Sequence, residues 1–325
     1  MVKITGLGFH LLVLLLLFGC SAASHPSNNN TQIPSSSPDA GGSSVTPSPS
    51  PTASPISVSP VPTSSEQTVV NLDVGKLKAV FGFADREGKQ LLVTGQDEGE
   101  EKIMALLDRA IGENSSVLSV KFVKWQQGDE ESSSGRDTAQ NFKNIPGYLF
   151  TVLEGKAVTD QTYYLADSRD FNTQSLLPIQ PTNAEKGSAN VDEETKMGIS
   201  LAQKRGIKQI WKFADIFDHK QLYLVQFVKE GKEMLFSFVL KEGNQLAFMN
   251  YPAVAQDEYS VWRIDDGGQI SPDMFSVLFA ARTSKGMVLG LNWWGAEGVN
   301  SFLLKQVQNS FEEMNIDYSR YTSPL

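Results

Sequence analysis

The sequence predicts an α+β protein with two modest units, each a mainly antiparallel sheet carrying one or two packed helices. Three observations lead there. Apolar runs of strand length recur from Leu77 onward, separated by polar turns that often contain glycine. Helical spacing of apolar residues, by contrast, occurs at only three places. Between Asp167 and Gly187 all periodicity is lost and Pro178 and Pro181 intervene, which places a boundary there. The units are expected at residues 66–170 and 188–325, with 171–187 as a linker. Together residues 66–325 make 260 positions, enough for real cores.

In the first unit, Leu77 to Phe83 and Gln90 to Thr94 flank Asp85-Arg86-Glu87-Gly88, the pattern of a β-hairpin. Asp97-Glu98-Gly99-Glu100 has capping-box spacing, and Ile103, Leu107 and Ala110/Ile111 share a face. A helix over 98–111, stopped by Gly112, is therefore expected. Val117 to Trp125 reads as a strand and Gln126 to Asn144 as a polar excursion. Past Pro146-Gly147, Tyr148 to Leu153 and Gln161 to Leu165 bracket Glu154-Gly155-Lys156 as a second hairpin.

The second unit opens with a helix. Asn190 and Glu193 have capping-box spacing, Met197 and Leu201 share a face, and Gly206 ends it. Strand-like runs follow within Ile207–Ile216, Gln221–Val228, Glu233–Leu240 and Gln245–Met249. Lys229-Glu230-Gly231-Lys232 and Lys241-Glu242-Gly243-Asn244 separate the last three, which predicts a meander. Tyr259 to Ile264 reads as a short strand ended by Asp265-Asp266-Gly267-Gly268. Phe275 to Ala281 and Met287 to Trp294 form a hairpin about Ser284-Lys285-Gly286. Finally Val299, Leu303, Val307, Phe311 and Met314 fall at helical steps, so a helix is expected over 297–314. Hairpin followed by helix echoes residues 77–111, either as a distant duplication or as two uses of a common arrangement.

The amino terminus has a different character. MVKITGLGFHLLVLLLLFGC carries Lys3 and an unbroken apolar run from Leu11 to Phe18, shorter than a membrane span. Residues 1–19 therefore read as a signal peptide. Leu17-Phe18-Gly19-Cys20 resembles the lipobox of bacterial lipoproteins. That resemblance implies that Cys20 is acylated and becomes the mature amino terminus, and that the source is bacterial. Cys20 is the only cysteine in the chain, which suits a lipid attachment point and not a disulfide. The expected location is the bacterial cell membrane, lipid-anchored, with the folded region outside the cytoplasm.

Ser21 to Ser65 follows as a stalk. Of its 45 residues, 33 are Ser, Thr, Pro, Asn or Gly, and Asp39 is its only formal charge. Such a segment has too little apolar surface to offset chain entropy, and its Ser-Pro and Thr-Pro steps favour polyproline II geometry. Residues 20–65 are thus expected to be a disordered, lipid-anchored tether.

Composition removes several function classes. Net charge is −9, and no Lys/Arg cluster interleaves with aromatics, so nucleic acid is not an expected partner. Of three histidines, only His219 lies past the stalk, in the polar turn Asp218-His219-Lys220. With no cysteine there either, no metal and no cofactor is expected. The nucleotide-binding and nucleophile-elbow patterns are missing, so no catalytic residue is assigned. Asp265-Asp266-Gly267-Gly268 resembles only a fragment of a calcium loop and reads as a solvated turn.

What remains is an aromatic surface. Trp293-Trp294 in a strand sends its rings to opposite faces, one into the core and the other either covered by the terminal helix or the 250–258 loop or exposed as an aromatic platform. Asn292, Trp293 and Trp294, with Tyr251, Trp262 and Asp265 beside them, are the candidate binding residues. The leading expectation is a lipid-anchored extracytoplasmic binding or scaffolding module, monomeric or weakly associated, meeting an envelope glycan or protein. Two alternatives stay open: a carboxylate-dependent envelope enzyme such as a glycan hydrolase, and a structural spacer.

Overall fold

The computed structural model describes residues 69–182, 191–255 and 259–323; the leader, Cys20 and the stalk fall outside them. Period-two burial builds the first sheet. Strands β1 (Phe81–Ala84), β2 (Gln90–Val93), β3 (Arg109–Gly112), β4 (Ser116–Gln126), β5 (Gly147–Val152) and β6 (Thr162–Ala166) close into an antiparallel barrel. Around it the order is β1-β2-β5-β4-β3-β6. Ala84, Leu91, Val93, Ala110, Tyr148, Phe150, Tyr163 and Leu165 fill the inside. Their neighbours one step along point outward. Phe83, Leu92 and Leu149 pack under Phe142 and Ile145, while Phe81, Ile111, Tyr164 and Ala166 meet the second sheet.

The second sheet has ten strands: β7 (Leu176–Leu177), β8 (Ile179–Pro181), β9 (Ile207–Ile216), β10 (Lys220–Phe227), β11 (Glu233–Glu242), β12 (Gln245–Val254), β13 (Phe275–Thr283), β14 (Gly286–Gly295), β15 (Gly298–Val307) and β16 (Ser310–Tyr321). Two four-stranded meanders, β9 to β12 and β13 to β16, meet at a single parallel pair, Phe248 with Ser310. The strands at the two ends of the order, β7 and β8, are separated in the chain only by Pro178. One residue cannot bridge an open ten-stranded sheet, so the sheet curls until its ends meet. Leu222, Leu224, Phe236, Phe238, Leu289, Leu291, Phe302 and Leu304 fill the enclosed core.

Its outer face is covered twice. Leu278, Phe279, Ala281, Val288, Leu303 and Ile316 pack on the barrel residues Phe81, Ile111 and Tyr164 and on Phe171. Helix α2 (Glu193–Gln203) lays Ile199 over Ile210, Tyr223, Val225 and Val239. The only other α-helix among the described residues, α1 (Glu101–Met104), is one turn at the barrel end. The fold class is therefore α+β as expected, with two mainly antiparallel sheets. By contacts, residues 65–325 form one compact unit.

Several expected elements are corrected. Residues 297–314 are not a helix but the β15–β16 hairpin, turning at Gln308, whose φ is +54°. β15 is buried on both faces from Ser301 to Leu304, so its apolar residues do not alternate, and Val299, Leu303 and Val307 also fit the helical template. The resemblance to residues 77–111 falls with that helix. The helix expected over 98–111 shrinks to α1, because Arg109 to Gly112 pair between β4 and β6. Its capping box does not form; the Tyr148 hydroxyl accepts from the Glu100 N–H and donates to the Asp97 carbonyl. β5 and β6 are both strands but not a hairpin, since β5 pairs with β2 and β4, and β6 with β1 and β3.

Other corrections are smaller. The cap of α2 is Asp192, whose carboxylate accepts from the Thr195 N–H at 2.7 Å; Asn190 lies outside the described residues. Met197 and Leu201 do share a face of α2, but it is the exposed one. Tyr259 to Ile264 is no strand. The Asp266 carboxylate gathers the N–H groups of Val261, Trp262, Arg263 and Gly268 at 2.7–2.9 Å and folds the segment into a loop. The meander turns and the hairpin about Ser284-Lys285 form where expected.

Candidate functional site

Period two decides what β13, β14 and β15 offer to each side. On the inner face Phe275 pairs with Trp293; one step along, Ser276 pairs with Asn292 and Asn292 with Ser301, on the outer face. This second row is polar yet covered, because the barrel lies over it. Asn292 is 1% exposed and Ser301 fully buried. Their groups are satisfied along the row: Ser301 Oγ donates to Asn292 Oδ1 at 2.7 Å, and Asn292 Nδ2 to Ser276 Oγ at 3.0 Å.

The row ends on a carboxylate from the barrel. Glu113, in the β3–β4 turn, accepts from Ser276 Oγ at 2.5 Å and from Gln161 Nε2 at 2.9 Å, with Asn292 Nδ2 at 3.5 Å. Every one of these donors is neutral. In the turn that delivers Glu113, Asn114 and Ser115 both adopt left-handed backbone conformations, at φ +58° and +62°. Ser115 is held there by its hydroxyl, which donates to the Leu177 carbonyl at 2.9 Å and accepts from the Ala280 N–H at 3.2 Å. Those two groups belong to the paired residues of β7 and β13, so the barrel turn is stitched into the ladder of the large sheet.

Beside Glu113 a cavity of about 220 Å³ opens between the two sheets. Asn114, Thr182, Asp273 and Ser276 supply its polar wall; Pro181, Phe213, Pro272, Phe275 and Val277 supply the apolar one. Phe275 is shared with an aromatic cluster on the inner face. Trp293 lies 5.2 Å from Phe275, 5.4 Å from Phe236 and 5.5 Å from Tyr251, and Tyr251 stacks on Phe236 at 4.6 Å.

A loop roofs that cluster. Trp262 packs edge-on to Phe236 and its indole N–H donates to the Tyr251 carbonyl at 2.9 Å. Arg263 reaches the Trp293 carbonyl at 3.2 Å, its guanidinium over the indole. Two buried polar atoms beneath, the Tyr251 hydroxyl and the Trp293 indole nitrogen, have no hydrogen-bond partner among the described residues. Burial, and then the Glu313 charge, push the Tyr251 hydroxyl pKa far up. Burial likewise lowers the pKa of Arg263.

The residues singled out from the sequence divide three ways. Trp293, Tyr251 and Trp262 come together in the cluster. Asn292 belongs to the buried polar row behind it, and Trp294 projects to the other face of β14, opposite Val299. Asp265 is exposed in the roof loop, at φ +57°, outside the cluster. Asp266 spends its carboxylate on backbone N–H groups, and no cluster of metal-ligating side chains occurs among the described residues. Glu113 was not visible in the sequence. Its partners Ser276 and Asn292 are 163 and 179 positions away, and only the turn-forming Asn114-Ser115 hinted at a bend there.

Cys20 lies outside the described residues, and no helix among the described residues is long and apolar enough to cross a membrane. Comparison with protein-family models, with curated proteins and with solved structures finds no match to the chain.

Proposed function

We propose that this is a lipid-anchored, extracytoplasmic binding module whose cleft between barrel and sheet receives an envelope partner. One observation carries the reading: Glu113 is presented to a cavity by neutral donors alone, on a turn whose backbone is held in a costly conformation. Strained backbone persists where the surroundings over-determine it, and such places gather at ligand sites. The groups around the cavity belong to strands or to turns pinned to them, the pre-organised arrangement that specific binding favours. The stalk would supply reach, roughly 140 Å if fully extended.

The reading is tested in two arms. Cys20→Ser should move the protein from membranes to the soluble extracytoplasmic fraction, and a fatty-acid label should follow Cys20. Equal membrane retention after a high-salt wash would contradict the anchor. The released chain should then co-sediment with purified wall glycan or with solubilised envelope proteins, and Glu113→Gln should weaken that retention. Retention on neither would contradict binding.

A glycan hydrolase is the second reading, favoured by the two carboxylates, Glu113 and Asp273, that line one cavity. Release of reducing ends from wall glycan, abolished by both Glu113→Gln and Asp273→Asn, would decide for it.

A further inference from the structure

We infer that the cavity beside Glu113 takes a cationic group, an alkylammonium or guanidinium at the tip of a larger ligand. This rests on the binding reading above and names the chemistry of what enters. The charge of the wall is the first argument. Eleven residues line the cavity; Glu113 and Asp273 are acidic and none is Lys, Arg or His. An anion would meet two carboxylates there, and a neutral group would leave their charge uncompensated.

The state of the Glu113 carboxylate is the second argument. Gln161, Ser276 and Asn292 orient it without neutralising it. Asp167, a covered carboxylate, is treated differently: Arg169 clamps it at 2.5 Å. At Glu113 an oriented negative charge faces open space, and charge-assisted hydrogen bonds are the strong ones.

The third argument is shape. About 220 Å³ is below the range that holds a whole drug-sized ligand, and suits one side-chain-sized group. Phe213 and Phe275 contribute aromatic surface, which attracts cations, and Pro181, Pro272 and Val277 contribute apolar wall for a methylene stem. A lysine or arginine side chain, or an amine of comparable size, meets all three requirements.

The test is a titration of the full chain carrying Cys20→Ser with n-butylammonium chloride, n-butanol and butylguanidinium chloride. The readout is the side-chain amide resonances of Asn292 and Gln161, which touch Glu113 directly. Both cations should shift these signals at concentrations at least about tenfold lower than n-butanol requires. Glu113→Gln should reduce that preference to within about twofold. Asp273→Asn, an exposed substitution, should weaken it in the same direction. The wild-type comparison of cation with alcohol stands even if Glu113→Gln fails to fold. Equal titration by alcohol and ammonium, or no response to either cation, would overturn the inference. Envelope retention with no cation preference would remove this inference alone. Cation preference with no envelope retention would remove the binding-module reading and leave the site.

Discussion

Arg320 carries its charge at 2% exposure, and its hydrogen bonds go to neutral oxygens. It donates to the carbonyls of Asp137 at 2.9 Å and Asp160 at 2.5 Å and to Thr162 Oγ1 at 3.2 Å, while lying over the Phe83 ring. Burial lowers its pKa, and the carboxylates of Asp160 and Asp137 oppose that shift. The fork of the guanidinium matters more than the charge, because one ammonium cannot meet three divergent acceptors. Arg320→Lys should therefore cost about 3 kcal/mol in urea unfolding, the cost of leaving buried acceptors unmet. An unchanged midpoint would show that water serves those oxygens equally well. None of this could be read from the sequence, where Arg320 is one basic residue in a polar carboxy-terminal run. The same holds for Glu113. In contrast, Trp293, Tyr251 and Trp262 were legible as a group, because large aromatics on alternating strands bury most surface by meeting one another.

Elements were legible wherever one face is wet. The meander from β9 to β12 follows from alternating runs and Lys-Glu-Gly turns, and Gly243 takes the positive φ of +56° that its turn requires. The β9–β10 turn does the same with Asp218 and His219, at +70° and +60°. Legibility failed at β15, where both faces are buried, and at β16, whose Phe311 and Met314 continue the helical spacing begun in β15. Helix α2 was found but capped two residues late. Its Asp192 carboxylate is held below the usual range, first by the Thr195 N–H, then by the Thr195 hydroxyl. A depressed folded pKa means stability present above the unfolded value and lost as pH falls through the folded one. Asp192→Ala should thus lower the urea midpoint at pH 7, with the gap from wild type closing below pH 3.8. A gap that stays constant down to acid would show that the carboxylate does not cap α2.

At the scale of the whole molecule, the barrel and the curled sheet share an apolar layer in which Phe279 packs between Tyr164 and Phe171. The loss of periodicity after Asp167 was legible, but the linker expected over 171–187 is corrected: β7 and β8 lie within it and pair with β13 and β9, strands too short to show a period. Hydrophobic pattern reports that a face is buried, without reporting by which partner. That junction creates the cleft: the barrel turn brings Glu113 to the polar row of β13 to β15, and the Pro178 link brings β8 to its rim. On the proposed reading, the partner is met in this cleft. The most direct measurement is photo-cross-linking in intact cells, with a benzophenone amino acid at Thr182 on the cavity wall. A matched probe at Gln308, in the turn at the far end of β15, serves as control. An adduct from Thr182 that Glu113→Gln abolishes, and none from Gln308, is the expected result. An adduct from Gln308 alone, or a Thr182 adduct indifferent to Glu113→Gln, would contradict it.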